Sequence, residues 1–186
     1  MMRDNFGKEW LETLEQKFSS VSEIKEIQSK GKPTIRVFYF DDLPQSGCLT
    51  AVTCGLSNAN YPGWKLAKPE LMVSLESSDK SWGLGIAYFA SAFFNEKRFS
   101  YGDVFKIDDP ISPESSMNGF LVFAPPFSTQ DDFTFNLSDR KVCLVGMYPV
   151  YDKEIAFYNK VGLKEFWHTD GFDIYNPKRK MVKPLQ

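Results

Sequence analysis

Near the N-terminus apolar residues recur four apart. Phe6, Trp10, Leu14 and Phe18 stand at i, i+4, i+8 and i+12, with polar residues between them. That spacing predicts an amphipathic helix over residues 4–18, with Asp4 as its cap. The chain from Ser19 to Pro33 is then polar and reads as a connection, broken by Gly31 and Pro33. Thr34–Phe40 is rich in β-branched and aromatic residues and predicts a strand. Asp41–Gly47 reads as a turn, and Leu49–Cys54 as the next strand. A loop with Asn58, Asn60, Pro62 and Gly63 follows. Residues 70–76 then alternate, with Leu71, Val73 and Leu75 on one face. This strand is expected to pair antiparallel with 49–54.

A second helical period runs over residues 81–97, where Trp82, Ile86, Phe89 and Phe93 are spaced four, three and four. Gly83 and Gly85 weaken its first turn by about 1 kcal/mol each relative to alanine. Strands are predicted at 104–107, at 119–124 before Pro125, and at 142–148 before Pro149. The polar stretch 128–139 reads as a hairpin connection. A third helix, capped by Asp152, is expected to run through Gly162, with Ile155, Tyr158 and Val161 on one face. Phe172–Tyr175 reads as a short final strand. Helices thus bracket groups of strands joined by short connections, which favours antiparallel pairing. The expected class is α+β: a single domain over residues 1–186, with a mostly antiparallel or mixed sheet packed by three helices.

Composition adds scale and excludes some functions. A chain of 186 residues fits one domain and buries roughly 70% of its unfolded surface without staples. Seventeen phenylalanines point to an aromatic core. A net charge of −2 and a pI near 5.5 argue against a nucleic-acid binder, which needs a concentrated basic face. The one basic cluster, Lys178, Arg179 and Lys180 with Lys183, reads as a solvated tail. Three cysteines without CxxC spacing suggest neither a disulfide framework nor zinc. They suit a reducing cytoplasm. No apolar run is long enough to span a bilayer, and MMRDNFGKEW lacks the apolar region of a signal peptide.

The candidate chemistry centres on Cys54-Gly-Leu-Ser57. A thiol and a hydroxyl beside a glycine could form a presented nucleophile, and His168, the only histidine, would be its base. That arrangement is one reading, a Cys- or Ser-dependent hydrolase. The other is a strand end, with Cys54 in the core, Gly55 at a bend and Ser57 and Asn58 forming a turn. Adjacent acids at 41–42, 108–109 and 131–132 point opposite ways on an extended chain and read as turn residues. Gly83-Leu-Gly85 lacks the rest of a phosphate-binding loop. No cofactor or metal site is expected.

The order of several segments resembles the Suppressor of fused family, in particular its bacterial single-domain members. These are Thr50–Asn58 with its GLS, Lys68–Leu75 with its E-L, Tyr101–Phe105 followed by Asp109-Pro110-Ile111, Gly119–Pro125, and Leu144–Ile155 followed by Gly162-Leu163. The likeness is clearest from about 50 to 163. It implies a non-enzymatic, cytoplasmic protein-binding module, plausibly an immunity protein that neutralises a cognate toxin domain, or else an adaptor. The resemblance supplies no catalytic residues. Candidate partner-binding residues are Tyr61 and Trp64 in the loop after Ser57, and the acidic pairs Asp41, Asp42 and Asp131, Asp132. An acidic face would suit a basic toxin.

Overall fold

A computed structural model of the chain describes residues 5–127 and 133–182. The elements run α1 (Asn5–Lys17), β1 (Glu23–Ile27), β2 (Ile35–Asp41), β3 (Leu49–Cys54), β4 (Lys68–Leu75) and α2 (Ser81–Ala92). They continue with β5 (Val104–Lys106), β6 (Gly119–Phe123), β7 (Thr134–Asn136), β8 (Lys141–Val150) and α3 (Asp152–Trp167). A one-turn 3-10 helix, Leu56–Asn58, follows β3. The expected class holds: three helices around one mixed sheet, α+β.

The sheet order is β1-β2-β3-β4-β8-β6-β5, and β7 pairs with β8. All pairings are antiparallel except β4 with β8, which is parallel in the register Lys68↔Val142 to Met72↔Gly146. The predicted pairing of β3 with β4 is present, Val52 facing Met72 and Leu49 facing Leu75. The parallel join has a simple cause. The chain leaves β4, crosses through α2 and the β5–β6 hairpin, and returns as β8 beside it.

Helices cover both faces of the sheet. α2 packs on Tyr39, Val37, Leu71, Val73, Val145 and Met147. α1 packs through Phe6, Trp10 and Leu14 on Phe38, Phe40, Val52, Met72, Val142 and Leu144. α3 lies beside α1 on the same face of β8, over Tyr148 and Val150. With both faces covered, β3 is buried at every position, and β4 is buried from Pro69 onward. The phenylalanines do fill the core: Phe89 makes ring contacts with Phe93, Phe105 and Phe120, and Phe99 stacks on Phe105 at 4.8 Å.

Several expectations are corrected. The polar stretch after α1 contains β1, whose Glu-Ile-Lys-Glu-Ile sequence suits an exposed edge. The segment 172–175 is no strand, although Tyr175 O accepts a bond from Glu76 N. α2 ends at Ala92, five residues early. α3 runs past Gly162 to Trp167, kinked at that glycine, where φ is 81°. Tyr151, not Asp152, is the cap residue of α3, and its N–H is taken by Glu154 at 3.0 Å. Asp4, expected to cap α1, lies outside the described residues. Gly83 and Gly85 are packing residues: a Cβ on Gly83 would stand 2.5 Å from the Tyr39 ring, and one on Gly85 would stand 2.6 Å from Ile111.

The C-terminal basic cluster is the largest correction. Arg179 is buried, not solvated. Its guanidinium grips Glu154 with two bonds, at 2.5 and 2.8 Å, and lies over the rings of Phe172 and Tyr151. Lys183 lies outside the described residues.

Candidate functional site

Cys54-Gly-Leu-Ser57 forms a structural cradle. The strand ends at Cys54, and Gly55 turns the chain at φ +132°, a conformation costly for any residue with a side chain. The turn exposes successive amide hydrogens to one point. The Glu70 carboxylate sits there, fully buried. It accepts Gly55 N at 3.0 Å, Ser57 N at 2.9 Å, Leu56 N at 3.3 Å and the Thr53 hydroxyl at 2.6 Å. The other end of the turn faces cations. Arg140 donates to Ser57 O at 3.0 Å and Asn58 Oδ1 at 2.6 Å, and Lys68 donates to Ala59 O at 2.9 Å. Negative charge at the amide end and positive charge at the carbonyl end is the arrangement that orphan helix-end groups favour.

Burial raises the Glu70 pKa, and the bonds from Thr53, Ser57 and Gly55 oppose that rise. Desolvation, and then the nearby Arg140 charge, lower that of Lys68. Two of the recognised sequence segments, the GLS and the E-L strand, are therefore one structural unit: the second supplies the anion that the first is shaped to hold.

This geometry speaks against the hydrolase arrangement. Cys54 is 3% exposed and packs under α1, while Ser57 is wholly buried with its amide bound to Glu70. His168 is exposed at the end of α3, with Nδ1 2.8 Å from Lys164 O. The helix that carries it packs on β6 and β8, in a different cluster from the one in which α1 encloses Cys54. Among the described residues no three His, Cys, Asp or Glu side chains group as metal ligands, and no helix is long and apolar enough to cross a membrane.

A cavity of about 1020 Å³ forms an open groove at the end of the sheet where β4 and β8 begin. Strand pairing explains it. β6 pairs with β8 from Gly146 onward, and β7 pairs with its first three residues, Lys141–Cys143. Among the described residues, Leu144 and Val145 have no strand partner on that edge: β6 ends at Phe123 and β7 begins at Thr134. The floor holds Pro69, Cys143 and Val145. One wall is the 63–67 loop and another is residues 98–101. Burial pushes the Cys143 thiol up to about 11, which disfavours its thiolate.

Tyr61 and Trp64 form the shoulder of this groove. Their rings are 5.6 Å apart, and the Trp64 indole donates to Arg98 O at 2.9 Å. This bond ties the two walls together. Gly63 permits the arrangement, since a Cβ there would stand 2.6 Å from the Tyr61 ring and 3.6 Å from Arg98 Cδ. Trp64 also packs on the α2-side core, so it is both an anchor and a wall. Next to it Leu66 is 89% exposed, a position the sequence reading passed over. Its signal was a lone leucine in a polar loop, which sequence cannot distinguish from a core anchor.

Asp41 and Asp42 stand at the opposite end of the sheet, because Asp41 pairs with Leu49 and Leu49 with Leu75. Asp41 bonds Lys80 Nζ at 3.0 Å, which holds its carboxyl below the usual range, and Asp42 accepts Gly47 N at 2.8 Å within its turn. They do not share a surface with Tyr61 and Trp64. Asp131 and Asp132 lie outside the described residues.

The described residues thus form a single small α+β domain, with one parallel join in its sheet and a solvent-open groove. The chain belongs to the Suppressor of fused protein family, whose model matches residues 31–180. Its fold is similar to the crystal structure of a Suppressor of fused homologue from Neisseria gonorrhoeae FA 1090. The identity is 17%, the TM-score is 0.72, and 95% of this chain and 96% of that chain are covered. It is also similar to a chain of the Sufu-Fu complex, at 12% identity and TM-score 0.67, covering 94% and 90%. Drosophila Suppressor of Fused matches with the same identity and TM-score over 95% of this chain, which spans 50% of that protein. No curated protein matches the chain.

Proposed function

We propose that the chain is a non-enzymatic protein-binding module whose partner docks in the groove walled by residues 63–67 and 98–101. The observation that carries this reading is Leu66, a large apolar side chain held in solvent beside a groove with an apolar floor. An exposed apolar group on the rim of a concave surface marks a contact site. The Sufu-Fu complex shows a relative with this fold in a protein complex, which supports the same class of role. The finer reading is an immunity protein that binds and neutralises a toxin domain in the cytoplasm, and it rests on the family resemblance. Asp41 and Asp42, at the far end of the sheet, would belong to a separate contact.

The test is co-expression with toxin-like domains encoded beside its gene, with co-purification and growth protection as readouts. A complex is expected that Leu66→Ser and Trp64→Ala each weaken by at least about tenfold, the scale of an interface anchor. Failure to form any complex, or a complex indifferent to both substitutions, removes the groove from the reading. Labelling of the folded protein with a thiol reagent separates the hydrolase alternative. Cys54 is expected to stay unmodified until the chain unfolds.

A further inference from the structure

We infer that the groove receives an acidic segment carrying an apolar anchor, rather than a basic one. The inference rests on the docking reading above and concerns the chemistry of the occupant.

The rim carries two cations, Lys65 and Arg98. Both are exposed, and neither forms an ion pair among the described residues. Among the described lining residues none is acidic. The main chain of Arg98 is anchored: its oxygen accepts the Trp64 indole N–H at 2.9 Å. The main chain that carries the cation is therefore tied to the opposite wall. Leu66 follows Lys65 directly, so the rim itself alternates charge and apolar surface. An occupant that satisfies it needs carboxylates beside an apolar side chain.

The far end of the sheet shows the opposite condition. Its acids are already engaged: Asp41 with Lys80, Asp42 with Gly47 N, Asp79 with Ser112, and Glu114 with the Trp82 indole. Lys178 adds a cation 3.5 Å from Glu114. A basic partner would have to displace these bonds, whereas an acidic partner meets unpaired cations. A net charge of −2 hides this local imbalance at the groove, where two cations face no described acidic lining residue. Walls of low dielectric strengthen the pull on an oppositely charged segment and speed its capture.

The experiment uses two labelled ten-residue peptides, one alternating glutamate with leucine and one alternating lysine with leucine. Binding is read by fluorescence polarisation at about 50 mM salt, where exposed charges are weakly screened. The Trp64 indole N–H resonance of 15N-labelled protein reports the location. The glutamate peptide is expected to bind at least about tenfold more tightly and to shift that resonance, with the gap closing at high salt. The double variant Lys65→Glu, Arg98→Glu is expected to reverse the preference. Both side chains are exposed, so its thermal melt should match the parent.

Equal binding of both peptides, each shifting the Trp64 signal, overturns the acidic assignment and leaves the docking groove standing. A preference that survives charge reversal also overturns it. No shift of the Trp64 signal by either peptide overturns the assignment together with the groove as a peptide site.

Discussion

Glu70 and Glu154 are both sealed from solvent, and only one of them meets a cation. Glu154 is gripped by both arms of the Arg179 guanidinium and also accepts Tyr151 N and Val182 N. Glu70 is held by three main-chain amides and one hydroxyl. The two solutions do different work. The ion pair joins segments distant in sequence, the start of α3 and the C-terminal stretch, and so fixes the path of the last described residues. The amide cradle acts on neighbours in space that lie at the join of β3 and β4, and so fixes one turn. Desolvating two charges offsets much of their attraction, so the pair is better understood as specifying where the tail goes than as adding net stability. In the cradle the donors already exist in the turn, and the carboxylate keeps them from being buried unpaired.

The comparison can be broken most forcefully at the ion pair. Arg179→Met leaves the Glu154 charge buried with two amides, and urea denaturation should show a loss of about 3–5 kcal/mol. Residues 176–182 should then become sensitive to protease. A loss below about 1 kcal/mol would mean that the pair does not hold the tail. Glu70→Leu comes next, since it leaves the amides of the turn and the Thr53 hydroxyl without an acceptor. A loss of about 2–3 kcal/mol is expected by the same measurement.

The pH dependence sharpens the difference. The folded pKa of Glu70 is raised above its ordinary value of 4.5. In the window from there to the folded value, the folded chain keeps a proton that the unfolded chain has released. Its contribution to stability therefore falls as pH rises through that window. Denaturation midpoints of Glu70→Gln should lose this slope relative to the parent, and an unchanged slope would refute the assignment. The smallest effect is expected at Gly55, whose φ of +132° favours glycine and whose added Cβ would stand 3.1 Å from Thr34 O. Gly55→Ala should cost about 1–2 kcal/mol, with strain at the turn as the cause.

The same pair of carboxylates shows what could be read in advance. The GLS and E-L segments are both visible as parts of a family pattern. That one holds the other is invisible, because Glu70 and Ser57 are 13 residues apart and joined only by the β3–β4 pairing. Arg179 reads as part of a basic tail, since nothing local marks it for burial; its partner is 25 residues away. The helix period of α3 pointed to Ile155, Tyr158 and Val161; Ile155 and Tyr158 do pack on the core, partly buried, but Val161 is exposed and the fully buried residues are Glu154 and Phe166. A buried carboxylate breaks the polar-out pattern that such periods assume. β1 was missed for the converse reason: an exposed edge strand carries no apolar face to reveal it. The groove was half legible. Tyr61 and Trp64 stood out as aromatic loop residues, whereas Leu66, Lys65 and Arg98 gained meaning only once the walls came together.

By itself the sequence determined the helix and strand periods, the α+β class, the antiparallel β3–β4 pair and the family pattern, because these depend on residues a few positions apart. Tertiary structure decided the parallel β4–β8 join, the partners of the two buried carboxylates, the placement of Cys54 in the core under α1 and of His168 on the exposed end of α3, and the gap among the described residues in the β8 edge beside the groove. Each of these depends on which distant segments share a surface, and local spacing carries no information about that.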